Sequence, residues 1–260
     1  MSKGEIPSII EGENIKTYFI KHLDGKTYIL LYLPYNPYTK AGQGYAYINA
    51  FYPASNTLFF ISKRINEQLS KYNASTYKGN LKKLFVDAKC AVYLKNSLVL
   101  IEPYGTRVAL AAIECDLIDT PEVLSRKRIN DIACSHCNAC EKACPTGAIQ
   151  GFYIDKEKCL RYACDHIDET ELDLMLMDKS ILGCDVCQAA CPYNAKIKTV
   201  PMPERLQELL EIDTLIKNAE GGRNELKELA GYIGDNYNRP GRILRLALLA
   251  KELDKDSFLK

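Results

Sequence analysis

An α+β fold class is predicted by three observations. Stretches rich in β-branched and aromatic residues lie before about residue 125, cysteines crowd between Cys134 and Cys191, and leucines recur at helical spacing after Pro201. The expected organisation is an antiparallel-sheet domain over 1–125, a cysteine-rich domain over 126–200 and a helical region over 201–260. At 260 residues, with 47% hydrophobic and 26% charged content, the chain has the make-up of a folded protein.

In the first segment KTYILLYL (Lys26 to Leu33) and YAYINAF read as strands. TLFFISKRINEQLSKY, from Thr57 to Tyr72, places Leu58, Ile61, Ile65 and Leu69 three and four apart, which predicts an amphipathic helix with Asn56 as its N-cap. CAVYL, SLVLI and TRVALAAIEC read as further strands, the last two joined by a hairpin turn at EPYG. After Pro201, PERLQELLEIDTLI, NELKELAGYIGDNY and GRILRLALLAKEL predict three short helices, broken at Gly221-Gly222 and Arg239-Pro240-Gly241.

The cysteine pattern carries the chemistry. Cys134, Cys137, Cys140 and Cys144 follow C-x2-C-x2-C-x3-C and run into Pro145, the arrangement that holds iron-sulfur clusters in bacterial ferredoxins. Three closely spaced thiolates converge on one cubane, and the fourth is carried round to a second cluster. Cys184, Cys187 and Cys191 repeat the pattern before Pro192, and DKEKCLRYACDH offers the missing ligand, with Cys159 its natural supplier and Cys164 a competitor. With Cys159, the exchange assigns Cys134, Cys137, Cys140 and Cys191 to one [4Fe-4S] cluster and Cys144, Cys159, Cys184 and Cys187 to the other. A ferredoxin-like double-cluster segment is therefore expected. Structural zinc, the competing reading, takes thiolates as two separated pairs and has no use for a third cysteine or for the prolines. Cys90 and Cys115 lie in apolar surroundings and read as small buried hydrophobes.

Other chemistries find little support. AGQGYAY supplies Gly42 and Gly44 without the third glycine of a dinucleotide loop, the P-loop motif is absent, and none of His22, His136 and His166 sits in a nucleophile motif. His136, inside the first cysteine run, reads as an incidental surface residue. A net charge of +1 provides no general field for a polyanion. No signal peptide and no run of roughly 18 apolar residues is seen, so a cytoplasmic protein without a membrane partner is expected. Its eleven cysteines should then be thiols or metal ligands rather than disulfides.

Three segments resemble the cobalamin-dependent epoxyqueuosine reductases: GCDVCQAACPYN (Gly183 to Asn194), ACPTGAI (Ala143 to Ile149) and KCLRY (Lys158 to Tyr162). LKNSLVLI (Leu94 to Ile101) with the following TRVALAAIECDL resembles the stretch that runs beneath the corrin, and LPYNPY resembles part of the opening domain. The resemblance implies a reductase of tRNA queuosine biosynthesis, whose clusters feed electrons to cobalamin for reductive removal of an epoxide oxygen. It favours Cys159 as a ligand and points to Lys95, Asn96 and Ser97 as corrin contacts, with a plain β-turn as the alternative. It also implies tRNA as a partner and a cytosolic electron donor such as a flavodoxin or ferredoxin. No D-x-H-x-x-G motif for a lower histidine ligand occurs, in keeping with that family.

Two departures bear on this reading. The family's acidic residue, taken as the proton donor, has no counterpart in NASTYKGNLKKLF; Asp87 is the nearest acid and reads as a surface residue. Leu94 stands where the family has glycine. The segment after Pro201 lacks the family's long helical-repeat tail, which leaves Arg239, Arg242 and Arg245 as candidate phosphate contacts. A two-cluster electron-transfer protein with a partner-docking domain and no corrin is the alternative function. Anaerobic reconstitution should yield about eight iron and eight acid-labile sulfide atoms per chain; stoichiometric zinc without sulfide would overturn the cluster assignment.

Overall fold

Lys26–Pro34, the longest strand, shows why a sheet forms at the front of the chain. Its consecutive Ile29, Leu30 and Leu31 are wholly buried, so both faces of the strand are covered. The computed structural model describes residues 5–40, 42–117, 122–123, 132–167, 172–177 and 179–256. Tyr18–Leu23 pairs antiparallel with this strand through Asp24 and Gly25, both at positive φ, the conformation that Asp-Gly adopts in a tight hairpin. Val108–Cys115 pairs antiparallel on the other side, from Thr27 opposite Cys115 to Pro34 opposite Val108, and Ser75–Thr76 completes a four-stranded sheet at its far edge. Phe19, Leu30, Tyr32, Phe85 and Ala112 form the core on one face, with Phe19 stacked on Tyr32 at 5.0 Å. The α+β class with an antiparallel front sheet is thus borne out.

Local expectations fared unevenly. Of YAYINAF only Tyr47–Ile48 is a strand, and Phe51 already begins the helix Phe51–Gln68. Asn56 therefore lies inside that helix and caps nothing; Asn49 Oδ1 accepts from the Phe51 N–H at 2.9 Å instead. Pro53 is tolerated there because the first-turn N–H it lacks has no intrahelical partner in any case. EPYG does turn, with Gly105 at φ +62, but it joins strands that do not pair. Val99–Leu100 pairs with Val92–Tyr93 through the Lys95-Asn96-Ser97 tip, while Val108–Cys115 belongs to the main sheet.

The chain divides into two compact units, Met1–Tyr35 with Ala54–Cys137, and Asn36–Pro53 with Asn138–Lys260. In the second unit Tyr47–Ile48 pairs parallel with Ser180–Leu182. Its core joins Ile48 and Tyr52 to Leu160, Ile181 and Leu182, and to Leu206, Leu215, Leu229 and Leu246 from the chain's final helices. Those helices number four rather than three: Glu204–Leu209 and Ile212–Gly221 are separate, then come Lys227–Ile233 and Pro240–Asp256. Glu211 makes the break, its carboxylate accepting from the Asp213 and Thr214 N–H groups as the N-cap of the second helix. The expected breaks at Gly222 and Pro240 are present. Gly44, at φ +82, lies in a turn and donates its N–H to Asp254. No helix among the described residues is long and apolar enough to cross a membrane.

Leu30 packs against aromatic rings and has no route to relax. Leu30→Ala should cost about 2–5 kcal/mol in urea unfolding, whereas truncating the exposed Lys26 should cost less than about 0.5 kcal/mol.

Candidate iron-sulfur centre

In the second unit, five of the predicted ligands, Cys140, Cys144, Cys159, Cys184 and Cys187, are neighbours drawn from three separated stretches. Cys184 lies within electrostatic reach of Cys159 and Cys144, and Cys187 within reach of Cys184, Cys159, Cys140 and Cys144. Cys140 and Cys187 ride on the short helices Ala139–Ala143 and Val186–Ala189, which pack on each other. Cys159 caps the turn Leu160–Ala163, and Cys184 follows Gly183 at the end of Ser180–Leu182. Cys144, Cys159, Cys184 and Cys187, assigned to one cluster, are thus neighbours, and Cys140 of the other predicted quartet lies beside Cys187 as well. Cys140 and Cys191, of the other predicted quartet, are buried in this unit; Cys134 and Cys137 belong to the first, with the Cys137 N–H donating to the Cys134 carbonyl at 3.0 Å.

The local environment acts on these thiols in opposite directions. Burial is the largest influence on Cys184 and Cys187 and pushes them up to about 11 and about 12, with neighbouring thiols adding to the effect. Both are therefore protonated at neutral pH until a cationic centre displaces the proton. Burial also opposes ionisation of Cys144, but hydrogen bonds from Thr146 and from the Ala148 and Ile149 N–H groups overcome it and hold this thiol below its ordinary value. Thr146 in turn bonds the Lys158 carbonyl, tying the Cys144 loop to the residue before Cys159.

The donor set fits the group that the spacing implies. Thiolates alone suit iron-sulfur clusters or zinc. A single zinc takes four sulfurs within about 2.3 Å of one point as two separated pairs, a pattern that the third cysteine of each run does not fit. A cubane spreads its ligands over its corners and suits the wider grouping.

Cys164 is fully buried, its Sγ lies 3.4 Å from Met177 Sδ, and burial raises its thiol to about 12. Cys90 and Cys115 are buried as expected. His136 is exposed, as is Asp87, which pairs with Lys83 at 2.6 Å. Arg242 serves the fold, whereas Arg245 is exposed and also bonds the interior. Arg242 is buried and bonds the Cys164 and Tyr237 carbonyls and Asp165, and Arg245 donates to the Ile167 carbonyl at 3.0 Å. Arg239 is exposed.

Beside the thiols lies a polar cluster that the sequence did not single out. Tyr52, 1% exposed, packs edge-on to Tyr237 at 4.8 Å, with the Arg161 guanidinium 5.1 Å from its ring centre. Arg161 pairs with Asp165 at 2.5 Å, and Arg242 reaches the same carboxylate. Two guanidiniums thus share one carboxylate, with Arg161 close enough to Cys164 to act on its thiol. Gly183 is required here: its φ is +79, and a Cβ would lie 2.8 Å from the Tyr52 ring. Nothing in the local sequence marks Tyr52, since its partners are more than 100 residues away in the chain.

In the first unit, Lys95, Asn96 and Ser97 form the tip of the hairpin between Val92–Tyr93 and Val99–Leu100. The tip is a turn, with Ser97 N–H donating to the Leu94 carbonyl at 2.9 Å and Ser97 at φ +53. Unlike most turn residues, Lys95 and Asn96 are buried, at 8% and 2% exposure, and Asn96 Nδ2 has no hydrogen-bond partner among the described residues. A buried orphan donor calls for an acceptor.

These features define a protein that carries two iron-sulfur clusters. In agreement, residues 133–194 match the family model of a 4Fe-4S double cluster binding domain. The resemblance to epoxyqueuosine reductases is borne out. The enzyme of that name from Cyclobacterium marinum is 37% identical over 103 residues, covering 38% of this chain and 32% of its own. A crystal structure of selenomethionine-labelled epoxyqueuosine reductase superimposes with a TM-score of 0.72 at 18% identity, covering 98% of this chain and 82% of the other. One of epoxyqueuosine reductase with an epoxyqueuosine-modified tyrosine tRNA stem loop gives 0.69 at 18% identity, with the same coverage of both chains. The sequence match spans about a third of the length of the curated relatives, and the structural likeness establishes a shared fold.

Cys159→Ala should remove about half of the bound iron. Cys164→Ala should keep all of it while lowering stability by about 1 kcal/mol. Iron analysis and thermal unfolding of both variants check the assignment.

Proposed function

We propose that the protein is a cobalamin-dependent, double-cluster reductase that removes the epoxide oxygen of epoxyqueuosine in tRNA. The observation that carries this reading is the grouping of Cys144, Cys159, Cys184 and Cys187 within a fold shared with epoxyqueuosine reductases. Cys134, Cys137, Cys140 and Cys191 would hold the other cluster. The overall change consumes two electrons and two protons, converting the epoxide to an alkene and water. When bound, the clusters supply electrons singly and the corrin supplies the metal-centred reduction.

This chain's own residues bind and orient. The thiolates hold the clusters, and Arg161 and Arg242, sharing Asp165, fix the segment that follows Cys159. The tip Lys95-Asn96-Ser97, with Lys95 and Asn96 buried, supports corrin contact, because the orphaned Asn96 Nδ2 can donate to an amide carbonyl such as those on a corrin rim. Asp87, exposed and paired with Lys83, is no counterpart to a buried acid. A cytosolic flavodoxin or ferredoxin would supply the electrons, and tRNA would be the substrate.

Two measurements test this reading. After anaerobic reconstitution with added cobalamin, the corrin absorption band should co-elute with the protein on gel filtration; its complete loss would leave the electron-transfer reading. Deleting the gene should make the epoxide form of the nucleoside accumulate in tRNA, and an unchanged nucleoside profile would overturn the substrate.

A further inference from the structure

The tip of the hairpin does more than fill a turn. The backbone N–H of Lys95 points at Cys134 Sγ, with nitrogen and sulfur 3.4 Å apart and both groups buried within the first unit. Cys134 is the first residue of the cluster run. We propose that the Lys95 amide is a positioning group that sets the reduction potential of the cluster held by Cys134, an inference that rests on the double-cluster assignment above.

The turn is built to keep this amide in place. Leu94 and Leu98 close the ladder at 2.9 Å, and the Ser97 N–H returns to the Leu94 carbonyl at 2.9 Å. Asn96 Oδ1 accepts from the Leu98 N–H at 3.3 Å, and Lys82 Nζ ties down the Ser97 carbonyl at 2.8 Å from outside the hairpin. Leu94 anchors the base at 2% exposure. A donor so fixed costs no reorganisation when charge arrives.

The electronic consequence has a definite sign. One electron from a low-potential single-electron carrier takes the cluster from its 2+ to its 1+ state, and no bond is made or broken. The added negative charge is shared with the ligating sulfurs, so an N–H donated to Cys134 Sγ is stronger in the reduced state and raises the potential. The same amide belongs to the residue proposed to line the corrin, so one turn would serve both groups.

Proline offers a clean test. Lys95 is the second residue of the turn, where φ near −60° is required and proline is favoured, so Lys95→Pro deletes the N–H while keeping the turn. Lys95→Ala removes only the side chain. With the reconstituted full-length protein, reductive titration by dithionite monitored by electron paramagnetic resonance should give two couples. In Lys95→Pro one couple should fall by about tenfold in its equilibrium constant, about 59 mV for one electron, and the other should stay. Measured against Lys95→Ala, which lacks the same ammonium, the proline variant should still show this fall.

Should the proline variant fail to load, replacing residue 95 by its α-hydroxy acid puts an ester in place of the amide and should give the same fall. Iron-sulfur stretching bands in the Raman spectrum should shift with it. Equal potentials in all forms that carry both clusters, or equal shifts of both couples, would sink this inference and leave the proposed function standing. A wild-type protein that loads no cluster would remove the reading beneath it.

Discussion

Thiols buried side by side resist ionisation, and this constraint shapes the second unit. Cys184 and Cys187 are held neutral by burial and by neighbouring thiols, so their grouping is unfavourable unless a metal centre discharges the protons. The fold must supply the energy to gather them in advance. It does so through the core that joins Leu160, Leu182 and the final helices, which fixes the ends of the loops bearing Cys159 and Cys184. Cys144 is the exception, stabilised as a thiolate by hydrogen bonds from its own loop.

Charge is also balanced in the polar cluster around Tyr52. Arg161 and Arg242 both pair with the single carboxylate of Asp165. These arginines also hold the fold together, since Arg242 bonds two backbone carbonyls from the interior. A basic residue that reads as a phosphate contact in a helix sequence is here a buried structural cation. Gly183 completes the arrangement, because only a residue without a side chain can turn at positive φ against the Tyr52 ring.

The hairpin tip applies a related device to the first unit. Ser97 adopts positive φ and Asn96 closes the turn from its side chain, so the backbone amide of Lys95 is aimed without freedom to drift. Leu94, which stands where the resembled family has glycine, serves as the buried anchor of this turn. Corrin contact and sulfur hydrogen bonding are compatible roles for a segment whose polar groups are buried and only partly satisfied.

Local sequence was enough to mark the candidate cysteine ligands and to find the strand around Ile29, the helical end of the chain and the fold class, because each depends on spacing within a few residues. It misplaced the start of the helix at Phe51, since Pro53 reads as a boundary, and the partner of the strand Val99–Leu100, since either neighbouring turn could close a hairpin. The Asp24-Gly25 pair marked a hairpin that could have been read. Only tertiary structure decided that Cys164 faces Met177, that Arg242 is interior, that Tyr52 packs on Gly183 and that the Lys95 amide meets Cys134. Those pairings join residues from 13 to more than 100 positions apart, and no periodicity records them because packing, not local propensity, selects the partner.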